Sequence, residues 1–315
     1  MNPKHCHSVP SPSGFSLIEV LIATSIGLFL VAGSLRLYAN IRHTENQINV
    51  QLHLQQRATF ALDIISHDLR MANFWGLHNN HQHLATNNSG VIYCRNQDVT
   101  AWALQLTHAI ELNSSRASCM NNPNKSDGAD RLTLRHASVT PEAPDPRYVQ
   151  IQTDHRWGYL HKSGVPDPTG MHNPNNFQLL IHSYYLSANS PTGLPELRRW
   201  ALGSNATMRN EMVMPGISAL EVRFAYLRAG QLVWKNIVDG PPLLARITLI
   251  AVGTHGTETL EHKTSRIVAL KNTPVASASY APIGDTAIPP GRAAPILGDE
   301  LSGLRGQREL HWSPA

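Results

Sequence analysis

Glu19 is the only formal charge in the run Phe15 to Leu35, FSLIEVLIATSIGLFLVAGSL. At about 21 residues and about 31 Å of helix, that run is long enough to cross a bilayer. A carboxylate at membrane depth costs roughly 2.5–3.5 kcal/mol and is usually matched by a functional partner. Gly14 stands immediately before the run and closes a short polar leader. The chemistry the run itself offers is charge pairing at Glu19. The alternative is an ordinary signal peptide or membrane anchor that tolerates one glutamate.

Elsewhere the search for reactive groups returns little. His78, His81 and His83 form an H-x-x-H-x-H cluster, but a loop rich in Asn and Gln is a simpler home for solvated histidines than a metal centre with converging ligands. Asn121 to Gly128 has the composition of a calcium loop. Its glycine comes one place too late, however, and no glutamate closes it, so a turn is the better reading. Asp68 and Arg70 read as a surface or packing pair. Trp157, Tyr159, Tyr184 and Tyr185 read as core before partner face. There is no G-x-S-x-G, H-E-x-x-H, P-loop or Cys-x-x-Cys, so no catalytic residue, metal ligand or cofactor is assigned. The expectation is a protein that is not an enzyme.

The elements that must position Gly14 and Glu19 follow from periodicity. No proline interrupts Phe15 to Ala72, and Tyr38, Ile41, Ile48, Leu52, Ala58, Phe60, Ala61, Ile64, Ile65, Leu69 and Ala72 approximate one helical face. One long helix is expected, its first half (15–35) in the membrane and its second (36–73) amphipathic, with Gly76 just past its end. Strands are expected at Ala101–Leu106, Asp130–His136, Tyr148–Thr153, Phe177–Ser187, Glu196–Leu202, Ala219–Leu227, Leu243–Val252 and Ser265–Leu270, making a β-rich head over 74–273. Residues 274–315, rich in Pro, Gly and Ala, read as a flexible tail. The fold class is α+β, the helix packed on an antiparallel sheet. Only 15% of the 315 residues are charged and the formal net charge is +4, without a dense basic stripe, so nucleic acid is not indicated as a partner.

The Gly14–Phe15–Glu19 segment resembles the class III leader and N-terminal helix of type IV pilins and type II secretion pseudopilins. The resemblance implies that a prepilin peptidase removes residues 1–14 and N-methylates Phe15. It also implies that Glu19 neutralises the N-terminal amine of a neighbouring subunit during assembly. A secretory signal would instead be cut after its apolar region. Lys4 before the run and Arg36 and Arg42 after it leave orientation undecided by charge; leader inside and body outside is what the resemblance implies. Cys6 falls in the leader, so Cys94 and Cys119 remain as an even pair in a chain bound for an oxidising compartment. They are either bridged or two buried thiols.

Leu62 to Gly76 resembles the helix end of the PilW group of minor pilins, with two departures. Asn73 replaces the usual Gly, and Leu77 stands where a Cys often follows, which leaves Cys94 and Cys119 as the available pair. Asp127–Leu134, Val213–Phe224 and Arg266–Asn272 resemble strands of that group. The implied role is a minor pilin of a type IV pilus, in a priming or tip complex. Its implied partners are other minor pilins, the major pilin, the inner membrane and, as a further candidate, a pilus-tip adhesin. The implied location is the inner membrane with a periplasmic head, then the pilus at the cell surface. The alternatives are a large type II secretion pseudopilin and, from a different class, a membrane-anchored periplasmic enzyme or binding domain.

Overall fold

Ser16 is the last extended residue before a single unbroken helix, α1 (Leu17–Met71, 55 residues), about 82 Å long at 1.5 Å per residue. The computed structural model describes residues 14–77, 82, 84–88, 90–113, 119, 129–162, 164, 171–188, 190, 193–255 and 258–272. Hydroxyls inside the apolar half satisfy themselves on the helix. Thr24 donates to the Leu21 carbonyl (3.1 Å), Ser25 to Ile22 (2.8 Å) and Ser34 to Leu30 (2.8 Å), so they add little polarity to a membrane span.

Contact with the head begins at Val50 and Leu54. The buried stripe is Leu54, Ala58, Ala61, Leu62, Ile65 and Leu69, spaced by threes and fours as one helical face requires. Alanine at two of these positions and Gly253 opposite Leu54 permit close approach, since a Cβ on Gly253 would lie 3.1 Å from the Leu54 side chain. The apolar face expected from the sequence was wider than the covered one. Tyr38, Ile41, Ile48, Leu52 and Phe60 are exposed, Phe60 at 53%. The first three lie on the length of helix before the head, while Leu52 and Phe60 point off the covered stripe.

The geometry of the helix end explains the asparagine at position 73. Asn73 has φ 65°, a left-handed conformation that asparagine tolerates better than most residues. Its Oδ1 accepts a hydrogen bond from Trp75 Nε1 at 3.0 Å, and its amide donates to the Asn272 carbonyl. In return, Asn272 donates to the carbonyl of Arg70 at 3.1 Å, satisfying one of the carbonyls that a helix end leaves unpaired. Gly76 has φ 93°, and a Cβ there would come within 2.6 Å of Phe177; only glycine fits.

The head strands, in chain order, are β1 (Leu84–Asn88), β2 (Tyr93–Cys94), β3 (Gln97–Asp98), β4 (Ile110–Leu112), β5 (Leu132–Ala137), β6 (Gln150–Thr153) and β7 (Gly158–His161). There follow β8 (Asn175–Ser187), β9 (Glu196–Gly203), β10 (Thr207–Pro215), β11 (Ile217–Arg228), β12 (Gln231–Lys235), β13 (Leu244–His255) and β14 (Glu258–Ala269). Among the described residues they make two sheets, one of ten strands and one of four in the order β12-β11-β13-β14. Pairing is mostly antiparallel; β1–β7 and β10–β2 are parallel. The larger sheet is organised by β8, which pairs β6 along Asn175–Gln178, β5 along Leu179–Tyr184 and β9 along His182–Ser187. The expected α+β architecture of a long apolar helix on a largely antiparallel head is thus the one observed.

Two cores result. One lies between α1 and the β11–β13–β14 face with part of β5 and β8; the other gathers Trp75, Ile92, Trp102, Phe177, Tyr185 and Trp200. Strand alternation sends Tyr184 into the first and Tyr185 into the second, so both are core as expected. Trp157, expected in the core, is 57% exposed. Ala101–Leu106, expected as a strand, is instead a short helix α2 (Thr100–Ala103) and a further turn. The Asp98 carboxylate accepts the Thr100 N–H at 2.9 Å and starts the helical turn, which buries Trp102. Above Trp102 lies the fully buried Arg135 guanidinium, 4.8 Å from the ring centroid and 3.0 Å from Glu111. β1, β2, β3, β4, β7, β10 and β12 were not expected, and β14 begins seven residues before the strand foreseen there.

Candidate functional site

Gly14 to Ser16 form an exposed, non-helical lead into α1. Ser16 is extended at ψ 143°, and its carbonyl accepts the N–H groups of Glu19 (3.0 Å) and Val20 (3.2 Å), closing the first turn. Among the described residues, its chain neighbours apart, no heavy atom lies within 4 Å of a Cβ built on Gly14. The Gly14–Phe15 bond therefore sits in accessible, non-helical chain just before an ordered helix. Glu19 lies in the first turn, exposed, and its side chain makes no hydrogen bond or ion pair among the described residues. The residues around it, Phe15, Leu17, Ile18, Val20, Leu21 and Ile22, are also exposed. The helix is long and apolar enough to cross a membrane. This surface is an apolar rod with one carboxylate and no internal partner for it.

The other end of α1 carries a second carboxylate with a different fate. Asp68 is buried, not paired with Arg70 at the surface as the sequence suggested; Arg70 is exposed. The correction has a physical reason: Asp68 sits on the helix face covered by β5 and β8, and Arg70 two residues on points away. Asp68 Oδ2 accepts hydrogen bonds from His182 Nδ1 and from the Tyr184 hydroxyl, both at 2.5 Å. His136 Nε2 lies 3.8 Å from Oδ1. Burial alone would raise the Asp68 pKa, but the hydrogen bond and charge of His182, with His136 and Tyr184, hold it well below the usual carboxylate range. Burial, followed by the Asp68 charge, pushes the Tyr184 phenol well above its usual value.

The strands place these groups together by register. His136 pairs with Leu180 and Leu134 with His182, so the two histidines are diagonal neighbours on one face, their ring centroids 6.0 Å apart. Tyr184, two residues beyond His182, shares that face. No local motif marks this cluster, because its members are far apart in the chain and meet only through the β5–β8 pairing. The histidines it did single out, His78, His81 and His83, lie outside the described residues, as do Asn121–Gly128, the leader before Gly14, and the tail from Thr273. Cys94 and Cys119 meet at disulfide distance, with Sγ atoms 2.15 Å and Cα atoms 5.9 Å apart, tying β2 to the segment that follows β4.

The family model of the prokaryotic N-terminal methylation motif matches residues 11–35. No curated protein matches the chain, nor does any solved structure. The matched motif indicates a chain processed by prepilin peptidase, of the type IV pilin or pseudopilin kind. The apolar helix behind it fits membrane anchoring of such a protein.

Proposed function

We propose that this protein is a minor pilin of a type IV pilus, cleaved between Gly14 and Phe15, methylated on Phe15 and assembled into a priming or tip complex. The observation that carries the proposal is the methylation motif at residues 11–35, set on a helix whose exposed apolar first half, 15–35, holds one carboxylate, Glu19, with no side-chain partner among the described residues. An intramembrane carboxylate is stabilised by a positive group. Cleavage after Gly14 creates a cationic amine at Phe15, and the same amine on a neighbouring subunit is the complement Glu19 lacks. The structural role agrees with a chain in which no catalytic motif was found. Resemblance of the Leu62–Gly76 segment to the PilW group supports a minor pilin; a type II secretion pseudopilin would use the same N-terminal chemistry.

The head is proposed to face the periplasm before assembly and to dock on other minor pilins afterwards. The test is mass spectrometry of the purified protein together with the variant Gly14→Val. The expected result is a chain starting at N-methylated Phe15, and full-length precursor in the variant. A start beyond the apolar run would contradict the proposal. Deletion of the gene should abolish or sharply reduce surface pili; loss of secretion with intact pili would favour the pseudopilin.

A further inference from the structure

The cluster under the end of α1 has an unfilled valence. Asp68, His136 and His182 offer one carboxylate oxygen and two imidazole nitrogens that all lie within 4.8 Å of one another, each from a different element. We propose that these three side chains bind one divalent first-row transition ion, of which zinc is the natural candidate, and so pin the helix to β5 and β8.

His136 carries the argument. Its Nδ1 lies 2.8 Å from the Ala137 carbonyl, which can only accept, so the ring proton resides on Nδ1. Nε2 then bears a lone pair. That atom is buried, has no hydrogen-bond partner and points toward Asp68 at 3.8 Å. An unpaired acceptor in a core is costly, and a metal would satisfy it. An imidazole oriented by a backbone carbonyl on one nitrogen and open on the other is the arrangement that metal-ligating histidines adopt.

The donor set also selects the ion. Two imidazoles and a carboxylate suit zinc and its neighbours, whereas calcium and magnesium prefer all-oxygen shells. Tyr184 donates to Asp68 Oδ2 and so orients the carboxylate from outside. His67 Nδ1, 3.6 Å from Asp68 Oδ1 on the exposed rim, is the nearest further ligand for a fourth position. Binding requires a neutral His182 ring with its lone pair on Nδ1, so the proton now shared with Asp68 is carried on Nε2 instead.

The experiment uses the mature full chain in detergent, stripped with EDTA and dialysed, then titrated with zinc against a chromophoric chelator. One zinc per chain is expected. His136→Ala removes one ligand while leaving Asp68, His182 and Tyr184 unchanged, and should weaken binding about 100-fold or more. Cobalt substitution should give visible d–d bands that the variant loses. If the alanine variant does not fold, His136→Gln carries the same prediction. The triple variant His78→Asn, His81→Asn, His83→Asn should bind as wild type. Absence of bound zinc, wild-type affinity in the folded His136 variant, or loss of binding in the triple variant would overturn the proposal.

Discussion

Glu19 and Asp68 are carboxylates on the same helix, and their surroundings are opposite. Asp68 has its partners within the chain: His182 and Tyr184 each at 2.5 Å, with His136 beside them. Glu19 has none among the described residues and lies on a surface of exposed Phe, Leu, Ile and Val. Both charges are costly in an apolar setting, and the difference lies in where the compensation comes from. Asp68 joins the helix to its own head. Under the proposed function, Glu19 takes its complement from a neighbouring subunit, so that one helix carries a tertiary lock at one end and a quaternary one at the other.

The sharpest way to break that comparison is to remove each carboxylate and read the stability of the head. Asp68→Ala leaves His182 and Tyr184 buried without their acceptor and should destabilise the head by about 3–5 kcal/mol, seen as a large drop in melting temperature by near-ultraviolet circular dichroism. Glu19→Val should leave that melting point unchanged. Equal effects would mean that Asp68 is not the lock.

Reduction of the disulfide is expected to act next most strongly. Cys94 and Cys119 close a loop with a sequence separation of 25, and a bridge over such a loop is worth about 2–4 kcal/mol. The pair Cys94→Ser, Cys119→Ser should lower head stability by that amount. Non-reducing peptide mapping of the wild type should recover the two cysteines in one linked species; free labelling of both thiols in denaturant would refute the bridge.

A smaller effect separates the buried histidines from the buried carboxylate. Burial pushes the pKa values of His136 and His161 below the usual imidazole value, so in this range the unfolded chain binds more protons than the folded one. Their contribution is full above about pH 6.5 and is lost as pH falls below it. Asp68, with its pKa lowered, keeps its contribution until pH falls below the ordinary carboxylate range of about 4. Metal-free protein should therefore melt about 2–4 °C lower at pH 5.5 than at pH 7.5, and His136→Gln should flatten the dependence. A profile that is level from pH 7.5 to 5.5 and breaks only near pH 4 would assign the loss to carboxylates instead.

Legibility differed between the two ends of the helix for a physical reason. The Gly14–Phe15–Glu19 segment is local: hydrophobic length, one charge and one glycine are adjacent in sequence, so the chemistry can be read without a fold. Long strands such as β8, β11 and β13 were also legible, because β8 and β13 are rich in apolar residues and β11 alternates apolar with charged ones. The Asp68 site was not. Its residues meet only because β5 and β8 pair in one register, and Asp68 alone looks like an ordinary helix-surface acid. Ala101–Leu106 misled because its apolar residues suit a strand, while Asp98 and Thr100 impose a helical turn. Phe60 and Leu52 misled because periodicity marks an apolar face but not how much of it the head will cover.

The central claim, that Glu19 is held for a neighbouring subunit, is tested most directly by fractionating a piliated strain that carries Glu19→Val. Removing a charge from the span should spare or favour membrane insertion, and cleavage at Gly14 should survive. The variant is expected at wild-type level, processed, in the membrane fraction and strongly depleted from sheared pili. Equal amounts of variant and wild-type protein in sheared pili would contradict the account.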